Sequence, residues 1–92
     1  MKKKPQELRN FLNERKQVKS WPSKPGVKML VLRYLIEQFE WDKKYSEQEV
    51  YSLLNEFHTF EDPALLRREL YMKQFMDRVA DGSAYWRMPK GQ

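Results

Sequence analysis

The chain has 92 residues, and 18 Lys and Arg against 13 Asp and Glu give it a net charge of +5. Domains commonly hold about 100–200 residues, so this length predicts one domain with one core and excludes a deep cleft between two lobes. The absence of cysteine excludes disulfides, thiol catalysis and Cys-based zinc sites, and the single His58 excludes a His-dominated metal site within one chain.

Hydropathy excludes a membrane protein at the level of the sequence. The longest apolar run, Met29 to Leu32, is far too short to span a bilayer. The basic N-terminus is followed by no apolar segment, so no secretory signal is expected. These features predict a cytoplasmic protein with no membrane partner.

Charge is distributed unevenly along the chain. Residues 1–33 carry ten basic and two acidic side chains, residues 34–62 carry two and eight, and residues 63–92 carry six and three. Folding such a chain could give a dipolar particle that presents one basic face to a polyanion. The alternative is an ordinary solvated surface with a lysine tail that favours solubility.

The first half of the chain predicts two helices and a short strand. The predicted organisation of the chain is a basic tail over residues 1–4, a single domain over residues 5–88 and a C-terminal tail over residues 89–92. Apolar spacing predicts a helix from Pro5 to about Arg15, and alternation from Gln17 to Trp21 predicts a short strand. A helix from Val27 to Phe39 is apolar over most of its circumference, so we expect it to be the most buried one.

Capping signals mark the beginnings of two further helices. Ser46 stands three residues before Glu49, the spacing of a capping box, and predicts a helix over residues 47–57. Asp62 followed by Pro63 is an N-cap with a first-turn proline, and it predicts a helix over residues 63–73.

The end of the chain predicts a β-hairpin. Two short runs, residues 76–80 and 84–88, are joined by Asp-Gly-Ser, a strong turn signal. A three-residue loop would place Val79 opposite Tyr85 and Asp77 opposite Arg87. The strand near Val18 is expected to join this hairpin as a third strand.

This order of elements predicts an α+β fold that resembles a winged helix-turn-helix. A three-helix core would carry a C-terminal β-hairpin wing, with an extra N-terminal helix and a short strand beside it. In this architecture the third helix enters a major groove of DNA and the hairpin flanks it.

The third helix offers a candidate nucleic-acid surface. At 100° per residue, two leucines share one face while Arg67, Arg68 and Tyr71 gather on the other. Arginine can bind guanine or phosphate through two hydrogen bonds, and a tyrosine hydroxyl can reach the DNA backbone. The alternative is that Arg67 or Arg68 forms weak surface ion pairs with Glu61, Asp62 or Glu69.

Other basic residues are predicted to hold phosphates. Arg78 and Arg87 stand one on each strand of the wing, and the tail contributes Lys2, Lys3 and Lys4. The competing interpretation of Arg87 is an ion pair with Asp77 that only fastens the hairpin.

The remaining aromatic and titratable residues point to no enzyme. Trp86 is predicted to cover the core and Trp21 to pack beside Pro22, while Trp41, in a charged loop, could contact a partner. His58 has no nearby Ser, Cys or second His with which to form a catalytic set, and no glycine-rich phosphate loop exists. The sequence predicts no catalysis, no cofactor and no metal site.

Several separated motifs lie along the chain: WPSK at 21–24, LVLRYL at 30–35, YSEQEV at 45–50, LLRREL at 65–70 and DGSAYWR at 81–87. Together they resemble the bacterial domain of unknown function 2087, over about Leu8 to Arg87. The residues that match its most recognisable positions are Arg67, Arg68, Tyr85, Trp86 and Arg87. The segment from Tyr71 to Met76 departs from the family pattern at the exit of the third helix.

The resemblance implies small stand-alone proteins, or C-terminal domains behind helix-turn-helix regulators of the arsenic-repressor type, commonly labelled transcriptional regulators. The matching positions fall on the predicted third helix and wing. In the fused members a separate helix-turn-helix already binds DNA, which favours a ligand, RNA or protein contact as the alternative role.

The prediction is therefore a DNA-binding transcriptional regulator without catalysis. Its partner would be double-stranded DNA, and because one copy offers a small footprint, a homodimer on a two-fold site is expected. The alternative is a protein-interaction, RNA-binding or ligand-responsive regulatory module that does not contact duplex DNA directly.

Overall fold

The computed structural model describes residues 8–89. Over this range three complete helices precede two antiparallel strands, so the α+β class is confirmed. The elements are α1 (Pro25–Ile36), α2 (Glu47–Asn55), α3 (Pro63–Met72), β1 (Met76–Arg78) and β2 (Tyr85–Arg87).

Helix α1 buries more side chains than either of the other two helices, as its apolar circumference predicts. It begins with Pro25 in its first turn and buries five apolar side chains. It ends at Ile36, three residues earlier than predicted, because Gln38 and Phe39 donate to carbonyls only three residues back, at 3.0 Å each. The tighter turn still buries Phe39, which is 1% exposed.

The capping signals of α2 and α3 are confirmed. The Ser46 hydroxyl accepts from the Glu49 N–H at 3.1 Å, and the Glu49 carboxylate accepts from the Ser46 N–H at 2.8 Å. The Asp62 carboxylate accepts from the Leu65 N–H at 3.2 Å. Both helices begin where these local bonds fix them, and α3 ends within one residue of the prediction.

The hairpin forms in a register one residue away from the predicted one. The Val79 N–H donates to the Ala84 carbonyl at 3.0 Å, so the loop holds four residues, 80–83, with Gly82 in the left-handed region at a φ of 76°. Asp77 therefore lies opposite Trp86, and the predicted pairing of Asp77 with Arg87 is wrong.

This shift exchanges the faces of the hairpin residues, because a slip of one residue moves every side chain of a strand to the other face. Met76 and Tyr85 pack into the core at 1% exposure each. Trp86 is not among the partly buried side chains that pack against the core, so its predicted role as the core cover is wrong, and the aromatic residue of this pair that joins the core is Tyr85. Arg78 and Arg87 share the inner face with Met76 and Tyr85.

A different segment from the predicted one adds to the hairpin. Tyr45, just before α2, exchanges two backbone hydrogen bonds with Tyr85, both 2.8 Å long. Val18 instead forms isolated β-bridges with Leu12 and His58 and does not pair with the hairpin. The prediction that it would form a third strand of the hairpin is therefore wrong.

The N-terminal segment is less regular than predicted. Leu8 and Arg9 are helical, but the helix does not continue to Arg15. The Asn13 carboxamide oxygen accepts from the backbone N–H groups of Arg15 and Gln17, at 2.8 and 2.9 Å, which forms a turn. The predicted strand from Gln17 to Trp21 is reduced to the bridge at Val18. The basic tail and the last three residues lie outside the described range.

Candidate nucleic-acid interface

Helix α3 turns its two adjacent arginines in different directions. Leu66 and Leu70 are buried at 0% exposure and fix the inner face of the helix. Arg68 is exposed and Tyr71 is 37% exposed, as predicted. The Arg67 side chain is only 22% exposed, so the prediction that both guanidinium groups project outward is wrong for Arg67.

Arg67 is held by a cluster of polar side chains from α2 and β2. Its Nε donates to the Tyr51 hydroxyl at 3.1 Å, and its Nη1 donates to the buried Tyr85 hydroxyl at 2.9 Å. The Glu47 carboxylate lies 3.6 Å from the same Nε and accepts from the Tyr51 hydroxyl at 3.1 Å. We call Glu47, Tyr51, Arg67 and Tyr85 the Arg67 network, and it joins α2, α3 and β2.

The Arg67 network favours the charged form of the guanidinium. Burial works to lower the pKa of the Arg67 guanidinium, but the hydrogen bonds to Tyr51 and Tyr85 and the attraction of the two phenol oxygens together raise that pKa above its ordinary value. The acidic neighbour is Glu47 on another helix, and the predicted local partners Glu61, Asp62 and Glu69 do not pair with Arg67.

A second set of side chains connects α3 to the half-buried Arg78 of β1. The Arg78 guanidinium carbon lies 4.8 Å from the centre of the Tyr71 ring, a cation–π contact. Arg68 stands one turn before Tyr71 on the exposed side of α3. The ion pairs between residues 8 and 89 are Arg67–Glu47 and Lys73–Glu69, so Arg68 and Arg78 have no carboxylate partner in that range. We call Arg68, Tyr71 and Arg78 the helix–hairpin surface.

Arg87 lies in a different environment from Arg78. Its Nη1 donates to the Phe39 carbonyl at 3.0 Å, and its guanidinium carbon lies 3.9 Å from the centre of the Trp41 ring. Trp41 is 51% exposed, which agrees with its having no predicted packing role. The structure thus places Arg87 outside the helix–hairpin surface. Lys2, Lys3 and Lys4 lie outside the described residues.

His58 is a structural residue in the connector between α2 and α3. It is 4% exposed; its Nδ1 donates to the Leu54 carbonyl at 2.7 Å, and its Nε2 accepts from the Asp62 N–H at 3.0 Å. Both ring nitrogens are thus used to join the end of α2 to the N-cap of α3.

The described part of the chain lacks two further features, a metal-ligand cluster and a membrane-spanning helix. Residues 8–89 hold no group of three or more His, Cys, Asp or Glu side chains placed to bind a metal ion. None of the helices in this range is long and apolar enough to cross a bilayer.

Sequence reasoning missed the residues that fix Arg67. Glu47 and Tyr51 stand four residues apart on α2, a spacing that places them on one helix face and could have suggested a shared partner. Tyr85 could not have been found in this way, because its inward direction depends on the hairpin register.

Comparisons with known proteins identify the family. The family described as an uncharacterized protein conserved in bacteria (DUF2087) matches residues 17–87. The match begins at residue 17, later than the start near Leu8 that the motifs suggested. No curated protein and no solved structure matches this chain. Because the family match spans most of the molecule, from the Val18 bridge to the end of β2, the chain belongs to the DUF2087 family.

Proposed function

We propose that this protein binds duplex DNA as a non-enzymatic transcriptional regulator, with α3 in the major groove and the β1–β2 hairpin beside it as a wing. Arg68 would contact base edges or phosphate, Tyr71 the DNA backbone, and Arg78 a phosphate. Arg67 would fix the orientation of α3 through its contacts with α2 and β2 and make no contact with DNA.

The order and pairing of the elements support a winged-helix arrangement. The order along the chain is helix, helix, helix, strand, strand, and Tyr45, between α1 and α2, adds an isolated β-bridge to Tyr85 of β2. In a helix-turn-helix protein the second helix of the motif lies in the major groove, and α3 follows α2 after a connector of seven residues, 56–62.

The observation that carries the proposal is the contact between Arg78 and Tyr71. It joins an exposed face of α3 and the hairpin into one surface, on which two guanidinium groups lack a carboxylate partner among residues 8–89. Arginine is the residue that most often recognises guanine and phosphate through two hydrogen bonds, so free guanidinium groups beside an exposed helix favour a polyanion.

One copy presents one candidate recognition helix, so we propose that two copies bind a two-fold site. The half-sites would then be separated by one helical turn of DNA, roughly 34–36 Å, or by a multiple of it. The described residues do not themselves define the surface between the copies.

Binding to duplex DNA is tested by fluorescence anisotropy at two salt concentrations. A labelled duplex selected from a randomised pool would be titrated at about 50 and 200 mM salt, because phosphate contacts make affinity fall as salt rises. The wild-type chain should bind with a strong salt dependence. The double variant Arg68→Gln/Arg78→Gln should lose most of this affinity.

The matched control removes two charges elsewhere. Arg15 and Lys24 are both exposed, and neither side chain forms a hydrogen bond or ion pair within residues 8–89, so Arg15→Gln/Lys24→Gln changes the net charge equally. It should bind nearly as the wild type does. Equal losses of duplex affinity in the two double variants would show that binding depends only on net charge, and this would contradict the proposal. Tighter binding of single-stranded RNA than of any duplex would also contradict it.

A further inference from the structure

A second set of basic side chains borders a cleft that the helix–hairpin surface does not use. The cleft has a volume of about 250 Å³ and lies between the last turns of α1, the Trp41 loop and the segment that follows β2. Ile36 and Phe75, both buried, contribute apolar lining. Arg33, Glu37, Trp41 and Arg87 contribute the charged and aromatic lining. Such a volume suits a small ligand with one ring.

One edge of the Arg87 guanidinium lacks a hydrogen-bond acceptor. Nη1 is used by the Phe39 carbonyl, while Nε is buried and has no partner among residues 8–89. Nη2 forms no hydrogen bond within residues 8–89, so it is the donor of Arg87 that remains for the carboxylate or phosphate of a ligand in the cleft.

Arg33 places a second cation at the cleft. It is exposed, its guanidinium carbon lies 6.0 Å from the centre of the Phe75 ring, and it forms no ion pair within residues 8–89. Glu37, immediately after the end of α1, is the single carboxylate that lines the cleft. Two guanidinium groups against one carboxylate leave an excess of one positive charge for an anion.

Trp41 adds a flat apolar surface beside these cations. Arg87 lies against its ring, yet half of the residue is still exposed. An indole in this position offers stacking area to a ring, because aromatic rings favour offset-stacked contacts.

We propose that this cleft binds a small molecule that carries a carboxylate or phosphate on a flat apolar ring. Arg33 and Nη2 of Arg87 bind the anion, and Trp41 stacks against the ring. The site is independent of DNA binding, because none of its residues belongs to the helix–hairpin surface.

Nuclear magnetic resonance of the ¹⁵N-labelled full chain tests the cleft with phenyl phosphate as the probe. The indole N–H signal of Trp41 is assigned by its loss in Trp41→Phe, and phenyl phosphate should shift it saturably. Inorganic phosphate lacks the ring and phenol lacks the phosphate. Each should therefore bind at least about tenfold more weakly than phenyl phosphate, a difference of about 1.4 kcal/mol. Equal affinity for phenyl phosphate and inorganic phosphate would contradict the stacking role of Trp41.

Arg33→Gln is the principal variant because the Arg33 side chain is exposed and its loss should not unfold the chain. It should weaken phenyl phosphate binding by about tenfold, the loss of one charge-assisted contact. Arg15→Gln removes the same charge away from the cleft and should leave binding unchanged. No saturable shift at Trp41 in the folded wild type, or equal binding by the two variants, would overturn the proposal.

Discussion

Two neighbouring arginines on α3 occupy opposite environments. Arg67 is mostly buried and donates to two tyrosine hydroxyls from α2 and β2, whereas Arg68 is exposed and has no carboxylate partner among residues 8–89. Arginine therefore has different roles at the two adjacent positions. Arg67 fixes the packing of α3 against α2 and β2, whereas Arg68 belongs to the exposed helix–hairpin surface. The contrast predicts that substitutions at the two positions separate stability from DNA binding.

The strongest test of this contrast is Arg67→Ala. Removing the guanidinium leaves the buried Tyr85 hydroxyl without its donor and takes away two charge-assisted hydrogen bonds, so the free energy of unfolding should fall by about 2–3 kcal/mol. Urea denaturation followed by circular dichroism measures this loss.

Arg67→Lys is the matched control. Lysine keeps the charge but lacks the planar set of donors that reaches two hydroxyls at once, so it should restore only part of the lost stability. If Arg67→Ala leaves the unfolding curve unchanged while weakening DNA binding, then Arg67 contacts DNA directly and the distinction between the two arginines fails.

The second test is Arg68→Ala. An exposed side chain with no ion pair in the described range should change the free energy of unfolding by less than about 0.5 kcal/mol. Loss of a base-contacting arginine should weaken duplex binding by about 2 kcal/mol. Denaturation and anisotropy on the same preparation check both values, and a stability loss as large as that of Arg67→Ala would refute the assignment.

A smaller effect is expected for Arg78→Gln. Because Arg78 is proposed to contact a phosphate, its loss should weaken all duplexes alike and lower the salt slope by about 1. Binding measured over a series of salt concentrations gives this slope. A change in preference between duplex sequences, with the slope intact, would instead make Arg78 a base contact.

The smallest expected effect concerns the hairpin loop that follows β1. Hydrogen bonds from the Ser83 side chain and backbone N–H lower the pKa of Asp81 below its ordinary value. A lowered pKa stabilises the folded state above the pKa of the unfolded chain, and this stabilisation is lost as pH falls through the folded-state pKa. Asp81→Ala should therefore be slightly less stable than wild type at neutral pH and equal to it in strong acid. Urea midpoints at both pH values check this, and a constant difference would exclude the linkage.

Local signals allowed much of the fold to be predicted. The caps at Ser46 and Asp62 involve residues three positions apart, so they are visible in the sequence and appear in the structure as expected. The apolar circumference of α1 likewise predicted its burial. The hairpin was predicted in place but its register was not, because one more loop residue is enough to reverse every face.

The candidate site depends on contacts that the sequence does not display. Arg67 is fixed by Tyr51 and Tyr85, 16 and 18 positions away. On a helical projection it lies at the border of the buried face, and these hydroxyls decide its direction. The bridge between Tyr45 and Tyr85 and the contact between Arg87 and Phe39 are also long-range, so only the folded chain reveals them.

The most direct test of the central claim is the arginine Nε–H spectrum of the ¹⁵N-labelled protein during titration with duplex DNA. Each arginine gives its own signal, so one spectrum follows Arg67, Arg68 and Arg78 together. The signals of Arg68 and Arg78 should shift saturably, while that of Arg67, hydrogen-bonded to Tyr51, should stay in place. A titration in which Arg67 shifts as they do, or in which Arg68 and Arg78 remain unchanged, would contradict the proposed DNA-binding surface.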